Sequence, residues 1–197
     1  GDRLDWILQS RAPAIKVLEN TRYPLERYKA EVGGLVVGRV HHGVVGSGEP
    51  DFSDPRGQAG LWADAISRHF GDVQRFLDYV VTCNEVGQDG DIVSRHSDFE
   101  VRICEILQGR GYRVAVGSFS VGNPPREGDA LRENWRRFLP AVQVADALSL
   151  HEYSAPRMWT SATLHCLRYR RVASILAELG VQCPPIIIGE TGIDWGV

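Results

Sequence analysis

Six short runs of mainly apolar residues recur along the chain, and a turn and a stretch of helical periodicity separate each from the next. They lie at 14–18 (Ala-Ile-Lys-Val-Leu), 35–40 (Leu-Val-Val-Gly-Arg-Val), 76–84, 112–119, 147–153 and 186–189 (Ile-Ile-Ile-Gly). None shows the clean apolar–polar alternation of a strand with one wet face. Both faces of the sheet must therefore be covered, which is the condition of a parallel sheet. Helical patterns fall at 4–9, 24–31, 59–70, 99–109, 131–139 and 164–179, the fifth stopping at Pro140 and the last closed by Gly180. Strand–helix alternation of this kind leaves two architectures, a (β/α) barrel or an open doubly wound sheet. A nucleotide-binding open sheet carries a glycine-rich turn after its first strand, whereas here that strand runs into Leu18-Glu19-Asn20-Thr21. Polar residues stand instead at the C-terminal ends of several strands: Arg39, Asn84 with Glu85, His151 with Tyr153, and Glu190. That distribution predicts an α/β fold of the (β/α)8 TIM-barrel type.

The chain has 197 residues, which suits one core and a single domain over 1–197. A formal net charge of -3 provides no basic footprint for nucleic acid. No apolar run reaches the roughly 20 residues of a membrane span. The N-terminal Gly-Asp-Arg-Leu-Asp-Trp has neither a signal-peptide pattern nor an initiator Met, so it assigns neither a secreted nor a cytoplasmic location. Of the four cysteines, Cys83, Cys104, Cys166 and Cys183, none forms a C-x-x-C pair or stands at zinc-ligand spacing from a histidine. They read as small apolar residues, with a Cys166–Cys183 pairing left open.

Two carboxylates at different strand ends, Glu85 and Glu190, suit work at a glycosidic bond. One must be protonated to assist the leaving group, and the other ionised to attack or to activate water. Asn84 offers a donor and an acceptor for a sugar hydroxyl. His151 and Tyr153, two apart on a strand, point to one side, where both are candidate substrate contacts; His151 equally reads as a hydrogen-bond partner within the barrel top. A Tyr153 phenol donating to Glu190 would keep that carboxylate ionised, and Arg39 would add positive charge.

This ordered set, Asn84-Glu85, then His151-x-Tyr153, then an apolar strand ending in Gly189-Glu190, resembles clan A of the retaining glycoside hydrolases. The resemblance implies Glu85 as acid/base after strand 4, Glu190 as nucleophile at strand 7, and Asn84 as partner of the sugar 2-hydroxyl. It implies a polysaccharide or oligosaccharide substrate and no cofactor or metal. On this assignment His151 and Tyr153 lie on strand 6, and the first two runs are strands 2 and 3. Strands 1 and 8 are then missing, and with them the Trp that strand 8 often carries. The expected barrel is thus incomplete, with open edges. Val86 stands where many clan members have Pro.

Other readings compete. A degenerate barrel can bind carbohydrate, or act as a scaffold, without turning substrate over. Lys16, within an apolar strand, pairs with a barrel carboxylate or serves as the Schiff-base lysine of a lyase. Arg39 serves the site or is a structural ion-pair partner. Phe119, Trp159 and Trp195 are candidate sugar platforms, with Trp195 equally a core residue, and His41-His42 are solvated loop residues or a subsite wall. Substrate choice is expected in the loops 41–58, 86–98, 120–130 and 154–162.

Overall fold

The computed structural model describes residues 2–41, 45, 49–86, 89–124, 128–154 and 165–193. The elements are α1 (Asp2–Ser10), β1 (Ala14–Val17), α2 (Arg22–Glu31), β2 (Leu35–Arg39), α3 (Pro55–Phe70), a 3-10 turn (Gly71–Phe76), β3 (Tyr79–Val81), α4 (Asp91–Gly109), β4 (Val114–Phe119), α5 (Gly128–Val144), β5 (Ala147–Ser154), α6 (Arg168–Glu178) and β6 (Ile186–Ile193). All strand pairs are parallel and follow chain order from β1 to β6. The sheet curls into a nearly closed barrel, so that Lys16 on β1 meets Glu190 on β6. The expected barrel class is the observed one. Among the described residues, no helix is long and apolar enough to cross a membrane.

Strand side chains alternate between two cores although both sets are apolar. Val36, Val80, Val114, Val116, Leu148 and Leu150 belong to the large core shared with the helices. Val37, Tyr79, Val81, Ala115 and Ala147, joined by Ile187, form a separate small core inside the curl. Continuing the inward register toward the C-terminal ends leads to Lys16, Arg39 and His151, so the inner face turns from apolar to charged at the barrel mouth.

Helix α3 begins at Pro55, earlier than the periodicity suggests, because Asp54 caps it: its carboxylate accepts from Gly57 N at 3.1 Å. Helix α4 likewise begins at Asp91 rather than Phe99, which turns most of the expected 86–98 loop into helix. Helix α5 does not stop at Pro140 but runs on to Val144. A mid-helix proline removes one hydrogen bond; here the continuation buries Ala141 and Val142, and that burial offsets the loss.

At the N-terminal face two aspartates clasp neighbouring strands. Asp78 donates its N–H to Val36 O at 2.9 Å, and its carboxylate accepts from Val36 N at 2.7 Å. Asp146 repeats this on Val114, at 3.0 and 2.8 Å, and also accepts from Gln108. Each carboxylate satisfies a strand-initiating N–H that the ladder leaves over. Asp146→Ala should cost about 1–3 kcal/mol in urea unfolding, and Asp146→Asn, which keeps an acceptor oxygen, clearly less.

Candidate active site

Two irregularities in the sheet build the site. Between β4 and β5 the register passes from Val116↔Leu148 to Phe119↔Leu150, so Gly117 and Ser118 together oppose Ser149. Both adopt positive φ, 95° and 37°. Between β5 and β6 it passes from Leu150↔Ile188 to His151↔Glu190, which makes Gly189 the extra residue. A Cβ on Gly189 would lie 3.0 Å from Ser149 Oγ and 3.5 Å from the His151 ring, so the close approach needs glycine. Bulges re-aim side chains at strand ends, and these two bring Ser118 and Glu190 to either side of His151. Glu85 follows β3 in the left-handed region, with φ 56°. Its N–H donates to Ser118 O at 3.0 Å, which ties this strained residue to the bulge.

The carboxylates of Glu85 and Glu190 and the His151 ring offer ligand atoms all within 4.8 Å of one another. His151 Nδ1 lies 2.8 Å from Glu85 Oε1 and 3.6 Å from Glu190 Oε2, and His151 Nε2 lies 3.1 Å from Ser118 Oγ. Tyr153 donates its hydroxyl to Glu85 Oε1 at 2.6 Å. Lys16 Nζ donates to Glu190 Oε1 at 2.9 Å, and Arg39 Nη2 stands 3.8 Å from the same oxygen. Burial lowers the His151 pKa against the pull of the carboxylates, which favours a neutral ring near pH 7. A neutral ring that donates from Nδ1 to Glu85 and accepts the Ser118 hydroxyl proton at Nε2 satisfies both contacts. For Glu190, burial works upward, but the Lys16 hydrogen bond and the positive charges at the mouth outweigh it and hold the carboxyl below its usual range. Lys16 is itself lowered, chiefly by desolvation.

Of the residues expected from sequence, Glu85, Glu190, His151, Tyr153 and Arg39 converge here, with Asn84 adjacent to Glu85. Tyr153 was expected to donate to Glu190; its hydroxyl donates to Glu85, because the bulge at Gly189 carries Glu190 toward Lys16. His151, read either as a substrate contact or as a hydrogen-bond partner within the barrel top, is fully buried, and its ring is engaged by Glu85 and Ser118. Phe119 was expected to be a sugar platform. It is fully buried against Trp135 and Phe138, with ring centroids at 5.6 and 4.9 Å, so no face is left for a ligand. Trp159, Trp195 and His42 lie outside the described residues, and His41 is exposed. Lys16 takes the expected carboxylate pairing. Ser118 was missed, its only sequence signal being a glycine–serine pair inside a strand.

Arg39 Nε and Nη1 and Asn84 Oδ1 are buried and have no partner among the described residues. The Arg39 groups leave spare donors on a side chain that stands beside Glu190. Below the mouth, between the edge strands, lies a cavity of about 220 Å³ walled by Ala14, Lys16, Val37, Ile187 and Glu190 among others. The triangle of Glu85, His151 and Glu190 has the donor types of a metal centre, but Lys16 and Arg39 already bring positive charge to Glu190 and oppose a divalent cation.

No family model matches the chain, and no curated protein matches it. Among solved structures, the whole chain is similar to a glucosidase from Croceicoccus marinus, with a TM-score of 0.57 and 12% sequence identity. The chain spans 49% of the length of that glucosidase. A sugar phosphate isomerase/epimerase from Parabacteroides distasonis matches 94% of this chain and 80% of its own, at 12% identity and a TM-score of 0.45. At such identity the likeness to the glucosidase bears on the fold alone.

Proposed function

We propose that residues 1–197 are a catalytic domain of a retaining glycoside hydrolase of the clan A type, acting on a β-linked glycan. The observation that carries this reading is the approach of Glu85 and Glu190, whose nearest oxygens lie within 4.8 Å at the barrel mouth. Retaining enzymes hold their carboxyls about 5–5.5 Å apart, and inverting enzymes about 6.5–9.5 Å to admit a water between them. The spacing favours retention.

Glu190, kept anionic by Lys16 and Arg39, attacks the anomeric carbon as the bond to the leaving oxygen breaks. Glu85 gives its proton to that oxygen. Tyr153 and His151 both engage Glu85 Oε1, so the transferred proton belongs on Oε2. Water then attacks the glycosyl–Glu190 ester, Glu85 takes the water proton, and Glu190 is released. The unpartnered groups of Arg39 and Asn84 suit a ligand rich in hydroxyls.

A 2-deoxy-2-fluoro glycoside with a good leaving group tests the reading. Peptide mapping should find the sugar on Glu190, and proton NMR should show the first-formed hemiacetal with the substrate's anomeric configuration. No label, or a label elsewhere, rejects the proposal and favours a binding protein. Borohydride trapping of a carbonyl substrate on Lys16 would instead identify a lyase. The Lys16 contact also sets a pH dependence. The acidic limb of kcat/KM reports ionisation of the nucleophile in the free enzyme. Lys16 favours the ionised form, so Lys16→Met should move that limb to higher pH. An unmoved limb would show that Lys16 does not tune Glu190.

A further inference from the structure

We propose that Cys83, His96 and Glu100 form a site for one divalent metal ion, zinc by its donor set, beneath the barrel mouth and independent of the reaction proposed above. Cys83 lies two residues past the end of β3, and His96 and Glu100 stand one turn apart on a single face of α4. Twelve residues lie between Cys83 and His96 and three between His96 and Glu100, and the fold brings Sγ to 3.4 Å from Nε2. The other edges of the triangle are 3.1 Å from His96 Nε2 to Glu100 Oε1 and 3.6 Å from Cys83 Sγ to Glu100 Oε1. Zinc lies about 2.3 Å from sulfur and about 2.0–2.2 Å from nitrogen or oxygen, so tetrahedral ligands stand about 3.3–3.6 Å apart. The triangle has nearly those edges.

The hydrogen-bond count points the same way. Four donor contacts converge on one atom, Glu100 Oε1: Thr82 Oγ1 at 2.8 Å, Gly117 N at 3.0 Å, His96 Nε2 and Cys83 Sγ. Glu100 Oε2 is buried and has no partner among the described residues. A carboxylate oxygen has two lone-pair directions, fewer than the four donors aimed at Oε1, while Oε2, among the described residues, keeps both of its own open toward a cation. That leaves His96 and Cys83 in surplus as donors to Oε1 and well placed as ligands beside it. Thr82 and Gly117 then act as the outer partners that orient a ligating carboxylate.

Charge agrees as well. All three side chains are buried, and a thiolate, a carboxylate, a neutral imidazole and a doubly charged ion sum to zero. Binding releases the Cys83 proton to solvent. Thiolate and imidazole select zinc over magnesium or calcium. Phe52, Phe119 and Phe138 pack on the His96 ring with centroids at 5.2, 5.3 and 5.0 Å and hold its plane in place. The ion would fasten the end of β3, two residues before Glu85, to α4.

Because the ligands are enclosed, metal should enter as the chain folds. Refolding the full chain with cobalt(II) tests the site. One equivalent should remain after gel filtration, with a thiolate-to-cobalt charge-transfer band in the near ultraviolet. The band should vanish in Cys83→Ser and persist in Cys183→Ser. No stoichiometric binding, or a band that survives Cys83→Ser, overturns the proposal. Should Cys83→Ser not refold, X-ray absorption on zinc-loaded wild type decides. One sulfur at about 2.3 Å supports the site, and a shell of nitrogen and oxygen alone rejects it.

Discussion

Glu190→Gln should lower turnover of an aryl β-glycoside by at least about 10⁴-fold, or about 5.5 kcal/mol of transition-state stabilisation. The substitution removes the attacking oxygen's charge and leaves Lys16 without the anion that its ammonium meets at 2.9 Å. The two carboxylates should fail differently. Glu85→Gln removes the proton donor, so the loss should be severe for a poor leaving group and slight in the first step for an activated phenol. Azide separates them further. In Glu190→Ala it attacks the anomeric carbon in place of the carboxylate and inverts it once. In Glu85→Ala it opens the glycosyl–Glu190 ester and leaves the configuration retained. If both variants yielded the same azide anomer, or neither lost activity, the roles assigned to Glu85 and Glu190 would be wrong.

Phe119→Ala should destabilise the fold by about 3–5 kcal/mol, which for a chain of this size lowers Tm by roughly 10 °C. Phe119 is fully enclosed and meets Trp135, Phe138 and His96 edge-on, so removing its ring opens a cavity between β4, α4 and α5. A sugar platform would behave otherwise, raising KM with little change in Tm. Calorimetry beside steady-state kinetics separates the two. A stable Phe119→Ala protein with weakened substrate binding would restore the platform role.

Phe119 also shows where sequence reading stops. Alternation carries it to the strand end where binding residues gather, but the Gly117–Ser118 bulge shifts the register, and its ring falls in the outer core. The same bulge supplies Ser118 to His151, and its partner at Gly189 turns Glu190 toward Lys16 and away from the expected Tyr153 contact. A bulge is one or two extra residues with no firm pattern of their own, so pleat counting cannot reveal it. Helix starts were displaced for a related reason: Asp54 and the turn at Gly90 decide where α3 and α4 begin, whereas the apolar stripe shows only where each helix is buried.

The sequence by itself determined the strand–helix alternation, the parallel sheet implied by apolar runs, and the strand ends that carry Arg39, Glu85, His151, Tyr153 and Glu190. These follow from local chain properties, since periodicity and turn residues act within a few positions. Only the tertiary structure decided which of two apolar faces lines the barrel, which cation meets Glu190, and that Cys83, His96 and Glu100 come together. Those are contacts between segments distant in the chain, and their geometry is set by strand curvature and register, which no short stretch of sequence encodes.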